Sequence, residues 1–485
     1  MNEENKSKET NESELEKVLT YKSEFAWNQY SDKQKNQARD LASKYLNFLK
    51  SARTERERVD FFSEIAIRNG FKRVEIGEGD HSLEQGDKVF YVNRNKNIAF
   101  VKIGKNPMTT RVNLLGAHVD TPRIDLKIKP LYEDKESGVA LLKTHYYGGI
   151  KKYQWATIPL ALTGVVIKPD GTKIKVEIGL DHDDPVFMIP DLLPHLNKNV
   201  QSERKTKDVI KAEEMNVLAG ATEIDDDKAK NKFKLHVLKI LNEKYDITES
   251  DFYSAELSLV SALPPRYIGV DKALIGSPGQ DDGVCAFTAF NAIMNIDETP
   301  ENTIITALFD KEEIGSSGNT GAQSSWIRFL FNDLMVKTLI PETMSNLSKT
   351  LQNTKILSTD VTAPLDPTFK SVHDPKTAGI LGKGIIIMKY TGHGGKYNAS
   401  DATAEYVAQV RSIFEKENVP YQFGTLGAVD AGGGGTIAKF FAQGFNADVI
   451  DGGPGVLNMH SPYEITHIAD VYSAHLAYTS FLNAK

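Results

Sequence analysis

His118 and Asp120 stand two apart in GAHVDTPR, a spacing that points both side chains to one side of an extended chain. An imidazole there can take a metal while the carboxylate orients it and raises its basicity. A hydrogen-bonded loop without metal fits the same two residues. SPGQDDGVCAF sets Asp281 and Asp282 at the start of a helical pattern. Paired acids can cap such a helix and complement its dipole; equally, one carboxylate can bridge two cations through its two oxygens. In FDKEEIGSSGNTGA, Glu312 and Glu313 follow the apolar run IITALFD, at the carboxyl end where α/β proteins place ligands. Adjacent acids in a glycine-rich turn repel unless a cation or a proton intervenes. One can then ligate a metal while the other serves as general base on an activated water. ILSTDVTAP ends a strand-like run on Asp360, and LNMHSPYEI carries His460 after DGGPG. Each motif alone fits a structural role. Together, two histidines and three carboxylates are what two hydrolytic metals sharing one carboxylate require.

The elements that must position these groups read as follows. Leu41, Tyr45, Phe48 and Leu49, then Phe61, Phe62, Ile65 and Ala66, give a helical pattern from Asn28 to about Gly70. Strand-like runs KVFYVN, IAFVKIG and RVNLLGAHVD follow. Past Thr121 the pattern changes to alternating strands (IDLKIKPLY, GVALLKTHYY, LTGVVIKP, KIKVEIGL) broken by Gly, Pro and Asp turns. A charged stretch then carries one amphipathic helix with Phe233, Val237, Ile240 and Leu241 on one face. From Arg266 the α/β rhythm returns, with AFTAFNAIMNI helical, NTIITALFD and GIIIMKY as strands, and an amphipathic helix burying Val407, Val410 and Phe414. The run Gly432 to Gly435 breaks structure. The expected architecture is an α/β domain with a central mixed sheet, built from residues 1–122 and 267–485. A β-rich domain over 123–266 interrupts it.

A chain of 485 residues is long enough for two or three cores, and 40% hydrophobic with 25% charged residues is ordinary for a globular protein. A net charge of -7 gives no electrostatic reason to expect nucleic acid or an anionic membrane as partner. A single cysteine, Cys285, excludes an internal disulfide. Cys285 falls on an apolar helical pattern and needs no role as a nucleophile. The polar start MNEENKSKETNESELEK has no apolar segment of a signal peptide, and no run approaches 18 apolar residues. These features lead to the expectation of a cytoplasmic protein with residues 1–18 frayed or disordered.

In order and spacing, the five motifs resemble the aspartyl aminopeptidase family of metallo-aminopeptidases, over most of the chain. The resemblance implies a catalytic α/β domain interrupted by a β-rich dimerisation domain, and assembly of dimers into a homododecamer. It implies two divalent ions, zinc first with cobalt or manganese as alternatives, and a peptide substrate with a free N-terminus. By motif, His118 and Asp360 would ligate one ion, Glu313 and His460 the other, and Asp281 both. Asp120 would orient His118, and Glu312 would be the general base. MIPDLLPHL makes His195 a substrate-site residue, reaching a neighbouring subunit's site; Lys389 in GIIIMKYTGH matches a substrate-pocket lysine. Two departures stand out. The family's LDN around the bridging aspartate is QDD here, and its arginine-containing RND segment appears as GAVDAGGGG. An acidic substrate side chain needs a cationic partner, so the second departure bears on the preferred N-terminal residue. Two other functions fit the same residues: deacylation of N-acyl amino acids or dipeptides, and a non-catalytic scaffold stabilised by metal. A phosphate loop at Gly432 to Gly435 is disfavoured, because no Gly-Lys-Ser/Thr follows.

Overall fold

The computed structural model describes residues 14–485 except 22, 80, 81, 393 and 432. Alternating apolar strands, buried on both faces, need cover on both sides, and the fold supplies it. Among the described residues a nine-stranded mixed sheet runs in the order Lys72–Arg73, Lys88–Asn93, Asn97–Lys102, Thr303–Phe309, Val112–His118, Thr354–Ser358, Asp448–Gly453, Ile385–Met388, Tyr421–Phe423. Its four middle strands, from Thr303–Phe309 to Asp448–Gly453, are parallel to one another.

Alternation along Val112–His118 sends Leu115 and Ala117 to one face and Val112 and Leu114 to the other. The first face is covered by the helices Asp32–Ser51, Glu55–Arg68, Gln280–Met294 and Ile468–Leu482. The second is covered by Trp326–Lys337 and Ala438–Phe445, whose Phe331, Phe441 and Phe445 interlock edge to face. Fixed register then brings the strand ends level. His118 stands opposite Phe309, and Ser358 stands opposite both Gly116 and Asp451. Two residues past Ser358, Asp360 therefore comes level with His118.

The chain leaves this sheet immediately after His118 and enters a six-stranded antiparallel sheet at Arg123–Asp134. That sheet ends with Ala255–Ser261 and has its own core, including Trp155, Leu160, Val176 and Leu259. A four-stranded sheet containing Leu274–Ser277 and Glu464–His467 lies along the return.

Two details differ from the sequence reading. Residues Glu14–Leu19 form a helix rather than frayed chain, while residues 1–13 lie outside the described residues. In the helix Lys232–Tyr245, Ile240 is half exposed, although Phe233, Val237 and Leu241 pack inward. Leu238 and Tyr245 also pack inward, so the buried face centres on Leu241 and leaves Ile240 at its edge. Gly432 also lies outside the described residues, and 433–436 carry no regular structure.

Candidate metal centre

Strand register places His118 and Asp360 on one side of the site; the other groups arrive on loops held by buried polar contacts. Asp281 and Asp282 sit in the first turn of the Gln280–Met294 helix but do not adopt helical dihedrals. Their carboxylates turn to His118 and His460 instead of capping the helix N–H groups. The break aims Asp281 between the two histidines. Its Oδ1 lies 3.2 Å from His118 Nε2 and its Oδ2 lies 3.1 Å from His460 Nε2. Asp360 Oδ1 is 3.8 Å from His118 Nε2, and Glu313 Oε2 is 3.4 Å from His460 Nε2. Two adjoining groups of ligand atoms result: His118, Asp281, Asp282 and Asp360 in one, and Asp281, Glu313 and His460 in the other. Asp281 belongs to both.

The outer faces of both imidazoles are occupied by acceptors. His118 Nδ1 lies 3.2 Å from Asp120 Oδ1, and His460 Nδ1 lies 3.0 Å from the Gly149 carbonyl oxygen. A carbonyl only accepts, so Nδ1–H of His460 donates and Nε2 is left to face the cluster. Asp120 is fully buried and does more than orient His118. Its Oδ1 accepts the backbone N–H of Glu312 at 3.0 Å, and its Oδ2 accepts that of Glu313 at 3.1 Å and the Tyr147 hydroxyl at 2.9 Å. Lys311, in the left-handed region at φ 68°, turns the chain so that those two N–H groups reach one carboxylate.

Three further residues escaped the sequence reading. Glu464 accepts the backbone N–H of His460 on Oε1 (2.8 Å) and those of Gln280 and Asp281 on Oε2 (2.7 and 3.0 Å). One carboxylate thus ties the two loops carrying His460 and Asp281. The signal was present as an acid four residues after His460 in HSPYE. Arg58, buried, donates to the carbonyls of Val119 and Gly279 at 3.0 and 2.6 Å, bracketing the same region from the helix layer. Tyr147 comes from the antiparallel sheet, and nothing in YYGG marks it.

The electrostatics favour a bound cation or protons among these acids. Burial and the neighbouring Asp281 charge push Glu313 well above the usual carboxylate range. Burial and Asp282 do the same to Asp360. Glu312 is raised to about 7 by burial together with the charges of Asp120 and Asp281. Burial works against charge on the histidines, yet the hydrogen bonds that His118 donates to Asp120 and Asp281 raise it, and the bond that His460 donates to Asp281 lifts it to about 11. Asp281, between two imidazoles, is held low despite its burial. Without cations, protons must balance these charges. Buried Glu313 Oε1 has no hydrogen-bond partner, as expected of a carboxylate placed to ligate a metal. The donor set is nitrogen and carboxylate oxygen, which suits zinc.

His195 and Lys389 do not join this cluster within one chain. His195 is exposed on a turn between exposed Leu193 and Leu196. Lys389 pairs with Asp401 at 2.8 Å. It follows a strand antiparallel to its neighbour, on which Ile386 faces Gly453 and Met388 faces Asp451, so the chain there runs away from the metal end.

A three-layered α/β/α sheet whose parallel strand ends gather two histidines and buried carboxylates is the framework of a metal-dependent hydrolase. Residues 48–482 match the family described as Aminopeptidase I zinc metalloprotease (M18), and the chain belongs to that family. A Borreliella afzelii protein named as a probable M18 family aminopeptidase 1 is 44% identical over 461 residues, which are 95% of this chain and 99% of the relative. The crystal structure of the M18 aminopeptidase from Thermotoga maritima superposes with a TM-score of 0.90 at 42% identity, covering 96% of this chain and 99% of that one. The yeast mApe1 dodecamer shares the fold, with a TM-score of 0.75 at 22% identity over 92% of this chain and 97% of that one. The protein is a zinc-family metallo-aminopeptidase. Among the described residues, no helix is long and apolar enough to cross a membrane.

Proposed function

We propose that the chain removes N-terminal residues from peptides at a two-metal centre in which Asp281 is shared. The observation that carries this reading is geometric: the two oxygens of Asp281 face two different histidines at 3.2 and 3.1 Å. His118 and Asp360 would hold one ion and His460 and Glu313 the other, with zinc as the expected metal. When bound, the ions supply Lewis-acid polarisation of the scissile carbonyl and acidify a water.

The rest is done by the chain. Asp120 fixes the backbone of Glu312, so that its carboxylate is free to take a proton from the attacking water and return it to the departing amine. Burial of the cluster excludes bulk water and strengthens every charge interaction in it. Neighbouring acids hold the substrate's free α-ammonium, which restricts cleavage to the chain end. The family's arginine segment is replaced by GAVDAGGGG. That replacement favours uncharged over acidic N-terminal residues. We further assign residues 1–122 and 267–485 to the catalytic domain and 123–266 to a dimerisation domain. This domain would present His195 to a neighbouring subunit within a homododecamer.

The test is Glu312→Gln. Zinc content should be retained while kcat falls by about 10^2- to 10^4-fold on aminoacyl chromogenic substrates. Turnover near the wild-type rate in the fully metallated variant removes Glu312 as the base.

A further inference from the structure

Tyr147 and Gly149, at the end of a strand that belongs to the antiparallel sheet, contact both halves of the metal cluster. The Tyr147 hydroxyl donates to Asp120 Oδ2 at 2.9 Å, and the Gly149 carbonyl lies 3.0 Å from His460 Nδ1. The residue between them packs against Glu313 with a backbone conformation that side chains rarely adopt. A Cβ on Gly148, which sits at φ +78°, would lie 3.4 Å from Glu313 Oε2. On its other side the Tyr147 ring is covered by the Arg123 guanidinium, 4.0 Å from the ring centroid. Arg123 is itself fixed by Glu55 at 3.1 Å and Asp125 at 2.9 Å. Glu55 starts the Glu55–Arg68 helix of the main domain. The ring is thus locked from both domains, and its hydroxyl has one acceptor.

We infer that Tyr147 is a positioning residue for hydrolysis: through Asp120 it sets the placement of the Glu312 base and of His118. Asp120 distributes two oxygens over two backbone N–H groups, one imidazole and one phenol. The phenol is the only one of these partners that comes from the antiparallel sheet. Its removal leaves Oδ2 with the Glu313 N–H alone, and the carboxylate can rotate away from the plane in which it holds Glu312. Orienting partners of this kind, when removed, cost about 10- to 100-fold in metal affinity or activity.

This inference rests on the assignment of Glu312 as base, so Tyr147→Phe is measured beside Glu312→Gln. Tyr147→Phe keeps the ring beneath Arg123 and deletes only the hydroxyl. The expected result is a kcat reduced about 10-fold or more with KM within twofold, and weaker zinc binding by chelator competition. The thermal midpoint of the metallated protein should move little. Wild-type kcat and zinc affinity in Tyr147→Phe overturn the inference. So does a loss of activity that tracks a lowered thermal midpoint and is accompanied by an equal rise in KM, because that is a packing effect. Should Glu312→Gln stay active while Tyr147→Phe fails, the base assignment falls and Tyr147 acts on the ligands alone; that outcome overturns the inference as stated. Tyr147→Ala provides the second variant: its kcat must be at least as low as that of Tyr147→Phe, and a higher one also overturns the role.

Discussion

At the residue scale the site depends on carboxylates that accept backbone N–H groups rather than ligate. Asp120 fixes the Glu312 and Glu313 backbone, and Glu464 fixes that of His460, Gln280 and Asp281. Glu464 is 1% exposed, so its three donors have no water to turn to if it is lost. Replacing it with Gln puts an amide N–H₂ against at least one N–H. The expected outcome is a 10- to 100-fold weaker zinc affinity, roughly the effect of removing an outer partner of a ligand, read by competition with a chromogenic chelator. Unchanged affinity would show that the loops hold themselves. Ligand-type residues were legible in the sequence because histidines and paired acids at strand ends carry chemistry in their type. Glu464, Arg58 and Tyr147 were not, because their function lies in contacts to backbone or side chains far away in sequence, which no local pattern encodes.

At the element scale, parallel register creates the site. Val112–His118 and Thr354–Ser358 read as strands from their apolar runs and Asp448–Gly453 does not, and their adjacency does not follow from the sequence, since 243 residues separate Gly116 from Thr359, whose hydroxyl meets its carbonyl. The start of the helix Gln280–Met294 was legible in position and not in form. A capping pair was one reading of Asp281 and Asp282, and the backbone instead breaks there so that Asp281 can turn toward the histidines. Close strand approach sets its own requirement at Gly453. A Cβ there would lie 2.0 Å from the Asp360 carbonyl oxygen and 3.2 Å from Cys285 Sγ. Gly453→Ala must displace backbone beside a ligand, so we expect a destabilisation of at least about 1–3 kcal/mol together with weaker zinc binding. Urea denaturation and chelator competition test the two effects, and a variant of normal stability with full affinity contradicts this packing.

At the scale of the whole molecule, buried acids outside the ligand set govern how stability answers to pH. Burial raises Asp470 to about 7 although it accepts the N–H groups of Gly382 and Gly384, and raises Asp451 to about 6 against the hydrogen bond from Thr436. In the unfolded chain both ionise near 3.8. Between roughly pH 4 and 7 the folded protein therefore binds more protons than the unfolded one, and stability falls as pH rises through that window. Metal works in the opposite direction. His118 and His460 must lose protons to ligate, so binding strengthens as pH rises, and an ion at 1,000 times its Kd adds about 4 kcal/mol to the folded state. The two slopes predict a divergence. Chelated protein should show its highest urea midpoint in the acidic part of the range and a declining one toward pH 8. Protein in excess zinc should gain over the same interval, so that the gap between the two curves widens with pH. Parallel curves would mean that zinc binding displaces no protons from the histidines, and with that the ligand assignment would fail.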